Sequence, residues 1–217
     1  MNLDPTARST YLEGVLAAAA LVGLYFVSVD NYLLFHAVVE MFSIIVACAI
    51  FVVFWNTRRF VHGGYFLLIG VAYLSVGALD LVHTLAYKGM GVFPGYGANL
   101  ATQLWIAARY VQSLSLLAAG LFLDRPLRPG WVLSLYLSIV VLLFLSIFAW
   151  SIFPVCYVEG QGLTLFKRVS EYLISAFLVA AIVILFRRRR RFDSRVYRLL
   201  AWSLLLTIAA ELAFTDR

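Results

Sequence analysis

Seven runs of apolar residues, separated only by short polar connections, constrain this chain more than any other feature. They lie at about 11–29, 33–55, 65–87, 101–123, 131–153, 169–186 and 197–215. Each is about the length needed to cross the ~30 Å hydrocarbon core as a helix. Backbone amides cannot go unpaired in lipid, and a helix pairs them within one segment. The pattern predicts an all-α fold, a polytopic transmembrane helix bundle, forming a single integral-membrane domain over residues 1–217. The sequence ends one or two residues after the seventh run, so an eighth span beyond it is expected. Composition agrees. The chain is 64% hydrophobic and 13% charged, whereas a soluble domain carries roughly 25% charged residues. No connection is long enough for a soluble domain. Met1–Thr10 is polar and no A-x-A-like site follows it, so no cleavable signal peptide is expected.

The net charge of +6 would suit a nucleic-acid binder, but its distribution argues against one. Arginines collect in alternate connections. Arg58, Arg59, Arg125, Arg128, Arg187 to Arg191, Arg195, Arg198 and, by parity, Arg8 fall on one side. Lys88, Lys167, Arg168 and Arg217 fall on the other, a bias of 12 against 4 with Arg109 inside a run. The positive-inside rule puts the arginine-rich side, and the N-terminus, in the cytoplasm. The run Arg187–Arg191 reads as a topology anchor at anionic headgroups. Cys48 and Cys156 lie far apart with no CxxC, so they carry no redox or metal signature. Cys48 is expected to pack inside its run.

A charge within a spanning helix costs at least ~2.5 kcal/mol on insertion scales, so such residues face other helices and mark function. His36, Glu40, Asp80, His83 and Arg109 are the candidates here. His36 and Glu40 are four apart, Asp80 and His83 three apart, and Trp105 and Arg109 four apart; each pair shares a helix face. By the positive-inside assignment they all lie toward the outer ends of their runs. Glu171 and Glu211 fall at the same ends of theirs. The agreement in depth predicts one polar site in the outer half of the bundle, walled by Tyr87, Trp105, Tyr110, Glu171 and Glu211, with Tyr32 and Phe35 nearby. The glycine-rich connection Lys88–Leu100 lies above it, as a lid, an entry port or a plain interfacial turn. His62 belongs to the connection Asn56–Gly64 and is expected in water.

Three occupancies fit such a site. Arg109 with Asp80 or Glu40 can be an ion pair that only fixes helix register. A transition metal or haem-like cofactor can be held by His36 and His83, with a carboxylate as ligand or orienter. A small polar or amphiphilic ligand can fill the pocket.

Four stretches carry a resemblance. They are His36-Ala37-Val38-Val39-Glu40-Met41-Phe42-Ser43, Phe54-Trp55-Asn56-Thr57-Arg58-Arg59, Leu79-Asp80-Leu81-Val82-His83-Thr84-Leu85-Ala86-Tyr87-Lys88-Gly89-Met90 and Asn99-Leu100-Ala101-Thr102-Gln103-Leu104-Trp105-Ile106-Ala107-Ala108-Arg109-Tyr110. Together they resemble the third class of membrane-associated sensor (MASE) domains, most closely over residues 33–125. The resemblance implies a sensory input module fused to histidine kinases, diguanylate cyclases or related outputs. It implies no catalytic residues, and a homodimer formed through the output. A fainter likeness to the copper-binding membrane domains of ethylene receptors lacks their Cys-x3-His pair, since no histidine follows Cys48 at that spacing.

A sensory input domain is therefore the leading expectation, with lipid and an unknown small ligand as partners, no nucleic acid, and no enzymatic activity of its own. A small transporter or a metal- or cofactor-binding membrane protein is the alternative. Apolar inner halves and the lack of mid-membrane helix breaks argue against a transport path. The absence of HExxH and GxSxG argues against two hydrolase types.

Overall fold

The computed structural model describes the backbone of residues 5–60 and 63–214 and the side chains of 11–60 and 63–212. His62 lies outside the described residues. The fold is an all-α helical bundle. Its helices are α1 (Pro5–Asp30), α2 (Tyr32–Thr57), α3 (Tyr65–Ala86), α4 (Ala98–Ala119), α5 (Pro129–Phe144), α6 (Leu165–Arg187) and α7 (Ser194–Phe214). Six of them, α1 to α6, are long and apolar enough to cross a membrane. The remaining helix, α7, has 21 residues and carries Arg195, Arg198 and Glu211.

The chain divides into two compact units, Met1–Phe42 and Ser43–Arg217. In the first, one residue separates α1 from α2. Asn31 sits at that break, and its Oδ1 accepts from the Leu34 amide at 3.0 Å, capping one of the amides that start α2. A short polar residue between two apolar runs thus ends one helix and begins the next.

In the second unit α3 and α4 are the centre. They pack on each other, and both are buried around most of their circumference, as apolar interior helices are. The second half of α2 crosses α3 closely. A Cβ added at Gly70 would stand 2.9 Å from the Phe54 Cβ, and one at Gly77 would stand 3.4 Å from the Ala47 Cβ. Small residues let spanning helices approach in this way. Helix α6 packs against α4, α7 against α6, and α5 against α3. Helix α5 presents only a narrow buried stripe, Val132, Tyr136 and Val140, repeating every four residues. Cys48 is exposed on α2. The expectation of a packed thiol fails because the part of α2 around it, 44–55, is apolar throughout and gives no periodicity to show which face is buried.

The connection between α5 and α6 holds more structure than its composition suggests. After Phe144 the helix widens into a π turn, Leu145–Ala149. A two-residue hairpin follows, pairing Tyr157 with Leu163 and Val158 with Gly162. Helix α6 then starts at Leu165, four residues before the apolar run, because the Thr164 hydroxyl accepts from the Lys167 amide at 3.3 Å and caps the first turn.

Candidate functional site

Asp80 lies on α3, six residues before its end, where α3 faces α4. Its two oxygens take Nη2 of Arg109 at 2.7 and 3.0 Å. The other guanidinium arm, Nη1, donates to Gln112 Oε1 at 2.6 Å, and Gln112 Nε2 donates to the Tyr73 hydroxyl at 3.4 Å. A polar chain therefore runs Asp80–Arg109–Gln112–Tyr73 between α3 and α4. The Asp80 side chain is 6% exposed and that of Arg109 17%. At such burial the ionic attraction is weakly screened, while desolvation opposes it; the hydrogen bond from Nη1 to Gln112 offsets part of that cost.

His83 is one turn from Asp80. Its Nδ1 lies 2.7 Å from the Ala101 carbonyl of α4. A carbonyl only accepts, so Nδ1 carries the hydrogen, and a neutral ring then keeps its lone pair on Nε2. The ring of Tyr87 stands edge-on to it, 6.4 Å between centroids. Thr84 returns its hydroxyl to the Asp80 carbonyl at 2.8 Å and shows no polar face to the site.

A second ion pair lies on α6. Lys167 Nζ reaches Glu171 Oε1 at 2.6 Å, with side chains 4% and 0% exposed. The ammonium also stands over the Trp105 ring at 5.5 Å, within cation–π range. Sequence reading places Lys167 in the outer connection Pro154–Arg168. The structure places it inside the first turn of α6 and buries it. The signal was present: Thr164 as an N-cap, with Lys167 and Glu171 four apart, marks an earlier helix start.

Glu211, near the end of α7, is 3% exposed. It lies within electrostatic reach of Arg109, Glu171, Lys167 and Asp80. Two cations and three carboxylates thus interact across α3, α4, α6 and α7. Of the residues singled out from sequence, Asp80, Arg109, Glu171 and Glu211 come together here. Trp105 joins through Lys167, and Tyr87 through His83. Tyr110 instead lines an apolar groove between α4 and α5. His36 and Glu40 lie one turn apart on α2, in the first unit, both half-buried, with the Tyr32 ring 6.4 Å from that of His36.

A cap closes this end of the second unit. Asn99 Oδ1 accepts from the amides of Cys156 and Tyr157 at 2.8 and 3.0 Å. Gln103 Nε2 donates to the carbonyls of Phe153 and Pro154, each at 3.0 Å. Both polar residues were read as motif letters with no role; they pin the α5–α6 connection to the start of α4. Lys88 and Glu159, exposed, join the glycine-rich connection to the hairpin at 3.3 Å. Cys156 is fully buried under this cap. Burial pushes its thiol up to about 12, opposed in part by Lys167.

The family comparison agrees with this architecture. A family model described as a membrane-associated sensor domain, MASE3, matches residues 27–217. No curated protein and no solved structure matches the chain. The match covers every element that builds the polar network, from α3 to α7, and the chain is accordingly a multi-pass membrane protein. With most of its length inside the match, this chain belongs to the MASE3 family of membrane-associated sensor domains.

Proposed function

We propose that the chain is the input domain of a bacterial signal-transduction protein in the cytoplasmic membrane, and that the buried ionic network is where its signal is read. The observation that carries this reading is the buried ion pair Asp80–Arg109 between α3 and α4, with Glu211 of α7 within electrostatic reach of it and of the Lys167–Glu171 pair of α6. A ligand that bears charge and competes for one of these partners changes the balance of charge among the four helices that carry them. An anion would compete for Arg109 or Lys167, a cation for a carboxylate. Networks of buried charge have few alternative arrangements, so such competition shifts helices between discrete positions. The output is a histidine kinase or a diguanylate cyclase, acting as a homodimer, on the same side of the membrane as the N-terminus.

A transition metal, with His36 and His83 as ligands, is the second reading. The hydrogen bond from His83 Nδ1 to a backbone carbonyl supports it, since metal-ligating histidines commonly orient themselves in this way. Metal content of purified protein, and its loss in His36→Ala and His83→Ala, separates the two.

The test of the sensory reading links the chain to a diguanylate cyclase reporter and assays output in membranes. Asp80→Asn and Arg109→Gln should each lock output at one level while the protein still inserts. Output that responds as in the wild type in both variants would remove the network from signal reading.

A further inference from the structure

We infer that the groove between α4 and α5 is a phospholipid site, holding one acyl chain of an anionic lipid whose phosphate sits beside Arg125 and Arg128. The groove is about 550 Å³, within the ~300–1,000 Å³ of ligand pockets. It exists because α5 packs on α3 through one narrow stripe and leaves α4 uncovered beside it. It opens sideways past Leu114 and Leu135, which are 46% and 59% exposed.

The chemistry of the wall selects a hydrocarbon chain. Of the three residues of its lining that bear hydroxyls, Tyr110, Ser115 and Tyr136, two are engaged with each other and with backbone: the Tyr136 hydroxyl donates to Ser115 Oγ at 2.6 Å, and Ser115 donates to the Val111 carbonyl. Water entering would find few partners, and apolar cavities stay dry and take apolar guests. Left empty, the walls would lose their dispersion contacts outright. A ring bearing carbonyls or hydroxyls would leave those groups unsatisfied here, whereas an acyl chain carries none along its length.

Length and position select a single chain and its headgroup. The lining runs from Ala107 to Ala118 on α4 and from Val132 to Leu143 on α5, so each edge is roughly 16 Å long at 1.5 Å per residue. That is about one leaflet of a ~30 Å hydrocarbon core. The groove adjoins the α4–α5 connection, where Leu127 lines its end and Arg125 and Arg128 are exposed on either side. Asp124, the carboxylate of that connection, is engaged by Arg188 and Arg191 at 3.3 and 3.4 Å. Among the described residues no carboxylate pairs with Arg125 or Arg128. Two cations therefore flank the end of a chain-length groove, at the depth of a phosphate.

Delipidated protein titrated with phosphatidylglycerol or phosphatidylcholine, and read by native mass spectrometry, tests the site. The expected result is one phosphatidylglycerol retained in preference to phosphatidylcholine. Ala118→Phe fills the groove and should weaken retention on the order of tenfold. Leu114→Trp, at the mouth, is the second filling variant if Ala118→Phe fails to fold by circular dichroism. Arg125→Gln with Arg128→Gln should remove the preference for the anionic lipid and leave chain binding. Equal retention by a folded filling variant and the wild type overturns the site, and equal binding of both lipids by the wild type overturns the headgroup assignment. Disulfide cross-linking of Leu135→Cys between two copies in membranes, in a Cys48→Ser background, would show that a second copy covers the groove and would also overturn it.

Discussion

Asp80 on α3 holds a single nitrogen of Arg109 on α4 with both carboxylate oxygens, at 2.7 and 3.0 Å, and this is the direct ionic link between the two central helices. The partner is on the adjacent helix in sequence, 29 residues away. Removing one member of a buried pair typically costs about 3–5 kcal/mol, because it strands the other. Arg109→Ala should therefore lower stability more than Arg109→Ala combined with Asp80→Asn. Thermal melts in detergent give the cycle, and additive losses would mean the two residues do not interact.

The second pair should behave in the same way. Lys167→Met alone leaves the Glu171 charge without its nearest cation and should cost about 3–5 kcal/mol. Lys167→Met with Glu171→Leu removes both charges and should lie closer to the wild type. Were Lys167 a solvated topology residue, the single change would alter stability by less than about 0.5 kcal/mol.

Gly63 tests the turn before α3. Its φ is +92°, and a Cβ there would lie 2.0 Å from the Leu123 carbonyl oxygen. The Gly64 amide donates to the Phe122 carbonyl at 2.8 Å, so the two backbones cannot separate without losing that bond. Gly63→Ala should lower stability by at least the ~1–3 kcal/mol of a strained conformation. An unchanged melting temperature would refute this close approach.

Cys156 carries a pH dependence. Burial raises its thiol from 9.0 to about 12, so the folded state favours the neutral form. A raised acid contributes stability that is complete below the unfolded value and is lost as pH climbs toward the folded one. The wild type should therefore lose stability relative to Cys156→Ala between pH 9 and about 12. Maleimide should label Cys156 slowly at pH 7 and rapidly after unfolding, since the thiolate is the reactive form. Equal labelling rates would show an open cap.

Orientation is tested by accessibility. Arginine bias predicts that Lys88–Leu100 lies outside the cytoplasm. Gly95→Cys, in a background lacking Cys156, should react with an impermeant thiol reagent in intact cells, and Thr57→Cys should not. The reverse pattern would invert the topology.

What the sequence by itself determined was the all-α, multi-pass class of fold and the residues too costly to leave in lipid. Apolar run length settles helix formation, because unpaired amides have no alternative in hydrocarbon. The price of intramembrane charge singled out His36, Glu40, Asp80, His83 and Arg109, and put Glu171 and Glu211 in the wall of the same site, before any contact was known. Tertiary structure decided which of them meet. Sequence left Arg109 a choice between Asp80 and Glu40, and packing of α3 on α4 brings it onto Asp80. It also drew Lys167 out of an apparent loop, because a helix start is set by a local cap and not by hydropathy. Cys48 shows the same limit. The stretch around it, 44–55, is apolar on every side and fixes no buried face, so only the neighbours of α2, α3 among them, decide what it exposes. Likewise, the groove beside α5 follows from how few residues of α5 touch α3, a property of helix packing that no single run encodes.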